Sequence, residues 1–226
     1  MTNPIIKAVS IVTPKRAAAW GDMQSFSETL AGAYDFSSIP NLFSYPVKNF
    51  GRFPLTAKAA CAGCALLFRA AGIEYRQREK HQTALLCSGF PPASIANQTF
   101  FRDYLDSGRV MGRGNLFIYT LPTSGPAEVS IHFGLCGPFL YIESTSDPLG
   151  ELLRAARRTA VTEQIDNSVC LWQDSQTTLA LYLRTPSNGA DQTTELHARM
   201  ADSANWRSPT DAAGKLLNTS SKINEI

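Results

Sequence analysis

The chain has 226 residues, 44% of them hydrophobic and 18% charged, which suits one soluble core of ordinary size with rather little charge around it. A formal charge of +2 argues against a dedicated nucleic-acid binder, which needs clustered Lys and Arg. The sequence holds no run of 18 apolar residues, so no membrane span is expected.

Residues 5–12 are rich in β-branched side chains and end at Thr13-Pro14, the pattern of a buried first strand. Residues 15–49 lose that pattern; Pro40, Pro46 and several serines point to a loop, with a short helix between Trp20 and Leu30. Residues 54–71 predict a helix, with Pro54 in the first turn, Leu55, Ala59, Ala62, Leu66 and Ala70 at helical spacing, and Gly72 as the stop. The basic stretch from Arg76 to His81 is broken by Glu79 and reads as a solvated turn or helix end.

A buried strand follows at 83–88, a helix at 94–107 and a glycine-rich loop at 108–114. From Asn115 the pattern predicts a buried segment, a strand-like Val129-Ser130-Ile131-His132-Phe133, a turn, and a strand at 139–143. A helix at about 148–164 comes next, then two short strands at 168–172 and 177–184. Beyond Thr185 the composition turns polar, so residues 1–185 are expected to be the folded body and 186–226 a polar tail, with an amphipathic stretch at 196–206. The alternation of strands and helices predicts an α/β fold with a mainly parallel sheet and an antiparallel pair at its edge. The N-terminus lacks the pattern of a secretion signal, and five scattered cysteines fit reduced thiols, so the expected location is cytoplasmic.

One run is more specific than the rest. Leu121-Pro122, Ser124, then Ile131-His132-Phe133-Gly134-Leu135-Cys136-Gly137-Pro138 and a strand resemble the approach to the active-site cysteine of β-ketoacyl synthases. The resemblance covers roughly residues 5–184 and is most specific between Asn97 and Gly150. It implies the N-terminal half of the thiolase fold, a five-stranded, mainly parallel mixed sheet with helices on both faces. In the family the nucleophile lies about eight residues after the proline, at a helix N-terminus, where main-chain N–H groups and the helix dipole favour a thiolate.

Counting from Pro138 lands on Ser146. A serine hydroxyl is too weak an acid to be activated by a helix end without a base. Asp147-Pro148 follows directly and reads as an N-cap with a first-turn proline. The resemblance also implies that the two catalytic histidines belong to a C-terminal half. This chain has only His81, His132 and His197, none in a matching context.

Other chemistry is weakly marked. Cys61-Ala62-Gly63-Cys64 has redox or metal spacing but falls inside an apolar helix, where cysteines serve as small apolar side chains. Gly112 and Gly114, with Arg109 and Arg113, have no nucleotide-binding context. No cofactor and no metal are expected.

The resemblance implies a non-catalytic ketosynthase-like partner or regulatory subunit of a condensing enzyme, in fatty acid, polyketide or polyene synthesis. It would be a homodimer or a heterodimer with a full-length ketosynthase, and acyl carrier protein is a further possible partner. The helix after Ser146, with Leu152, Leu153, Ala155, Ala156 and Ala160, would leave one apolar face uncovered in a single half. The alternative is a small acyltransferase or thioesterase using Ser146 or Cys136.

Overall fold

The computed structural model describes residues 4–89, 93–143 and 146–185. Within them, β1 (Ile5–Val12) is buried along nearly its whole length because it pairs on both sides, antiparallel to β2 (Arg16–Gly21) and to β7 (Thr178–Arg184). β3 (Ser25–Thr29) continues the meander antiparallel to β2. On the other side β7 pairs antiparallel with β6 (Asn167–Gln173), β6 pairs parallel with β4 (Thr83–Gly89), and β4 pairs parallel with β5 (Phe139–Ile142).

The result is one 7-stranded sheet in the order β3-β2-β1-β7-β6-β4-β5. Three expectations are corrected by it. The sheet has seven strands, not five, because the loop-like residues 16–29 form β2 and β3 where a short helix was expected. Only two of the pairings are parallel, so the sheet is mixed but not mainly parallel. The β6–β7 hairpin is central, clamped between β1 and β4, whereas an edge position was expected. Short turns make three of the four antiparallel pairs, β1–β2, β2–β3 and β6–β7, whereas β1–β7 joins strands far apart in the chain and a parallel return needs a crossover.

Helix α1 (Leu55–Ala71) lies against this sheet, and Gly72 ends it at φ 69, donating its N–H to the Arg69 and Phe68 carbonyls. Twelve of its 17 residues are buried, since the sheet covers one side and α4 (Ser124–Phe133) much of the other. Its Ala, Gly and Cys content permits that approach. Ser10 Oγ donates to the Gly63 carbonyl at 2.7 Å, and a Cβ on Gly21 would meet the Ala70 carbonyl oxygen at 2.4 Å. On β4 the alternation divides the core: Leu85 and Cys87 face α1 and α4, and Ala84 and Leu86 face α5 (Pro148–Thr162). Helices therefore cover both faces, as the resemblance implies.

The segment Val129–Phe133 is the end of helix α4 and not a strand. As a strand it would aim Val129, Ile131 and Phe133 to one side. In the helix Val129 and Phe133 are buried together, and Ile131 turns out to 70% exposure. The segment after Asn115 is likewise not buried: it forms the short helix α3 (Gly114–Phe117) and a 3-10 turn at Ile118–Thr120, with Phe117, Ile118 and Leu121 exposed.

On α5, Leu152, Ala156 and Thr159 are buried against β4 and β6, whereas Arg154 and Arg158 face outward and are exposed. Its outer face is thus charged rather than apolar. Among the described residues no helix is long and apolar enough to cross a membrane. The polar tail, His197 and the amphipathic stretch at 196–206 lie outside the described residues.

Candidate functional site

In an α/β sheet the crevice beyond the carboxyl ends of parallel strands is where loops and helix N-termini converge. Here that end is formed by β4, β5 and β6. Gly89 closes β4 with φ 146, so close to β6 that a Cβ would meet the Gln173 carbonyl oxygen at 1.9 Å. The buried Gln173 amide donates to the Thr56 carbonyl at 2.8 Å and to Thr178 Oγ1 at 2.9 Å, and Tyr141 donates its hydroxyl to the Gly89 carbonyl at 3.3 Å. The strand ends are therefore fastened together and to the start of α1.

Ser146 lies at this end, exposed, one residue before the N-cap of α5. The cap is Asp147: its Oδ1 accepts the Gly150 N–H at 3.0 Å, and its Oδ2 accepts from Arg154 Nη2 at 2.9 Å. Arg154 also pairs with Glu151 at 2.9 Å. The positive end of the helix dipole is thus met by a fixed carboxylate beside Ser146, which opposes a developing alkoxide there. Among the described residues no side chain hydrogen-bonds to the Ser146 hydroxyl, so none of them is placed as its base.

Cys136 belongs to the other end of β5. The strand's four residues alone separate it from Ser146 by about 13 Å at ~3.3 Å per residue, so the two do not form one site. Its exposed thiol donates to the His81 carbonyl at 3.2 Å, and its own N–H reaches the same oxygen at 3.0 Å. The fold brings a histidine beside Cys136, a proximity not visible in the sequence, but the contact is to the main chain. The imidazole Nε2 of His81 is buried without a hydrogen bond, 4.0 Å from Glu79 Oε2, beside a cavity of about 250 Å³.

His132 joins a polar cluster under α4. Its Nε2 lies 3.4 Å from Glu128 Oε2, and Tyr119 donates its hydroxyl to Glu128 Oε1 at 3.1 Å. Tyr45 donates to the His132 carbonyl, and the Phe53 ring packs 5.6 Å from the imidazole. Burial holds the His132 pKa below its ordinary value, with Glu128 working against that shift. Burial, reinforced by Glu128, raises the Tyr119 phenol.

The remaining candidates are structural. Cys61 and Cys64 are buried in α1, and desolvation pushes the Cys64 thiol up to about 12, so it is held protonated. In the glycine-rich loop Arg113 pairs with Asp103 at 2.5 Å, and Gly112 sits against the Phe100 ring; Arg109 adopts φ 64 just before them. That loop ties α3 to α2 (Ala93–Asp106) rather than presenting its donors to a phosphate.

The feature sequence reasoning missed is a surface. Strand β5 is one edge of the sheet, and its Phe139 and Leu140 are exposed. Helix α2 packs mainly on α3 and the Ile118–Thr120 turn, and exposes Ile95, Phe101 and Leu105. Phe117, Ile118 and Leu121 are exposed as well. The signal available was Phe-Leu-Tyr-Ile without a charge, which reads equally as a buried strand.

No protein-family model matches the sequence, and no curated protein matches it. Solved structures do match in fold. A chain of the ketosynthase–chain length factor complex from Xenorhabdus doucetiae aligns with a TM-score of 0.55 at 13% identity, over 82% of this chain and 80% of that one. A β-ketoacyl synthase from Burkholderia phymatum aligns with 0.59 at 11% identity, over 82% of this chain and 60% of that one. The ishigamide ketosynthase/chain length factor aligns with 0.54 at 10%, over 82% and 59%. This chain thus spans about three-fifths of the latter two. At such identities the likeness is one of fold.

Proposed function

From a ketosynthase-like thiolase fold as the premise, we propose that this chain is a non-catalytic ketosynthase-like subunit that pairs with a condensing enzyme acting on carrier-bound acyl chains. The observation that carries the reading is the contrast between the two sheet edges. β3, Ser25–Thr29, is a polar edge: Ser25, Ser27, Glu28 and Thr29 alternate with one aromatic, and Arg16 donates to Ser27 Oγ at 2.9 Å. β5 at the other edge is Phe-Leu-Tyr-Ile, with no charge to discourage pairing and exposed apolar helices in the same part of the chain. Edges of that kind pair or aggregate unless they are covered.

A partner contributing a strand and an apolar layer fits this edge. Structures of similar fold include a ketosynthase described in complex with its chain length factor, which supports a ketosynthase as that partner. The absence of chemistry in the proposal rests on Ser146 beside a capping carboxylate, with no base hydrogen-bonded to it among the described residues. The test is co-expression with a ketosynthase from the same organism. Co-purification as a stoichiometric complex, lost in Leu140→Lys, is the expected result. A stable monomer at micromolar concentration that binds no such ketosynthase would overturn the proposal.

A further inference from the structure

A cavity of about 740 Å³ lies not at Ser146 but over the C-terminal end of α1, between residues 40–45 and 73–77. It shares Ile73 with the smaller cavity at the first residues of β4 and β6, so both lie at the end of the sheet opposite Ser146. Its size falls within the range of about 300–1,000 Å³ usual for small-molecule sites. Leu42, Tyr45, Ile73 and Tyr75 supply apolar walls, and Tyr45 and Tyr75 pack edge to face at 5.8 Å.

The polar groups on these walls are mainly donors. Arg69 is held by residues of the same wall: its Nη2 donates to the Asn41 carbonyl and to that of Pro40 at 3.4 Å. Nε and Nη1 then have no hydrogen-bond partner among the described residues, so most of the guanidinium's five donors stay available. Tyr75 is nine-tenths buried, and its hydroxyl oxygen accepts the Ser44 N–H at 3.2 Å. The Ser44 side chain hydrogen-bonds to the same hydroxyl. Burial raises that phenol, so it remains a donor. Arg76 adds a second cation at the rim, and the one carboxylate there, Glu74, lies 3.3 Å from it, solvated with it.

An α-helix C-terminus ordinarily repels an anion through its free carbonyls. Here three of the last four carbonyls, those of Phe68, Arg69 and Ala70, are covered. Gly72 and Ile73 donate to Arg69 and Phe68, Met23 N–H reaches the Ala70 oxygen at 3.1 Å, and the Gln24 amide reaches the Arg69 oxygen at 3.1 Å. What faces the cavity is therefore the cation and not the negative end of the helix.

We propose that this groove is a binding site for a small carboxylate with an apolar body, its carboxylate held by Arg69 and the Tyr75 hydroxyl and its body against Tyr45, Leu42 and Ile73. Arg69 offers the planar fork that a carboxylate matches, and the apolar walls exclude a fully hydrated ion. The site is independent of the β5 edge and holds whether or not the subunit reading does.

The experiment is a titration of the full-length protein, labelled with ¹⁵N, with sodium octanoate, followed by amide shifts. Octan-1-ol and inorganic phosphate serve as the apolar-only and charge-only comparisons. Saturable octanoate shifts confined to the groove, at Gln24, residues 40–45, Ala65, Arg69 and residues 73–77, are expected, with neither comparison reproducing them. Arg69→Gln and Tyr75→Phe should each weaken binding by about tenfold, the loss of one hydrogen bond to a charged group. Arg69 also holds residues 40 and 41, so Arg76→Gln, which bonds no backbone, gives an independent arm: a severalfold weakening with an unchanged amide spectrum. Octanoate shifts elsewhere, equal shifts from phosphate or octanol, or variants that bind as tightly as the parent would each overturn the proposal.

Discussion

Asp147 and Arg154 meet at 2.9 Å across the first turns of α5, while the other Asp147 oxygen caps the helix at Gly150 N–H. A structural carboxylate therefore stands beside Ser146, the residue at which the resemblance would put a nucleophile. Replacing Ser146 by Cys should not create condensing chemistry. Carbon dioxide release from malonyl carrier protein by Ser146→Cys should stay at background, and a clear rise would refute the non-catalytic reading. Hydrolysis of a simple acyl thioester by the parent, abolished in Ser146→Ala or Cys136→Ala, would favour the hydrolase or transferase alternative instead.

The cap itself is testable through stability. Asp147→Ala removes the acceptor for the Gly150 N–H and should lower unfolding stability by about 1 kcal/mol. Asp147→Ser, which keeps an acceptor, should restore most of it. Chemical denaturation of the three proteins measures this, and equal midpoints would mean that the cap carries no weight.

The approach of α1 to β2 gives a sharper case. At Gly21 a Cβ would meet the Ala70 carbonyl oxygen at 2.4 Å and its carbon at 2.6 Å, both backbone atoms that cannot swing away. Gly21→Ala should therefore destabilise by about 1–3 kcal/mol, the usual range for overpacking. Gly51, with nothing within 4 Å of its virtual Cβ, is the control: Gly51→Ala should stay within about 0.5 kcal/mol of the parent. Thermal or denaturant midpoints decide it.

His132 should give stability a pH slope. Its pKa in the folded state is depressed, chiefly by burial, so below about pH 6.5 the unfolded chain binds the extra proton more readily. Its contribution is complete above that value, falls as pH drops through it, and levels off below the folded pKa. Replacing His132 by Gln should remove that part of the slope below about pH 6.5. A slope unchanged in the variant would assign it to other groups.

The β5 edge makes a last prediction. Leu140 lies in the middle of a strand that, among the described residues, pairs on one side only, with β4. Leu140→Lys should disrupt association with a ketosynthase by at least about tenfold, while a β3-edge change such as Ser27→Lys should not. Light scattering of the co-expressed complex separates the two.

Much of this architecture was legible in the sequence because local rules were enough. β1 lies at the residues its β-branched run marks, α1 runs up to the glycine that stops it, and the Asp147-Pro148 start of α5 follows from capping chemistry. The ketosynthase-like fold was legible from one run of residues around Gly134 and Pro138. Where the sequence misled, distant partners decided. Arg16–Gly21 is alanine-rich and locally favours helix, but pairing with β1 and the cover of α1 make it a strand. Val129 to Phe133 alternates like a strand, and only the packing of Val129 and Phe133 together against α1 distinguishes it from one. The central place of β7, the charged outer face of α5, the contact of Cys136 with His81 and the donor-lined groove at Arg69 all join residues far apart in the chain. No spacing along the sequence encodes such meetings; they exist only once the sheet has closed around α1.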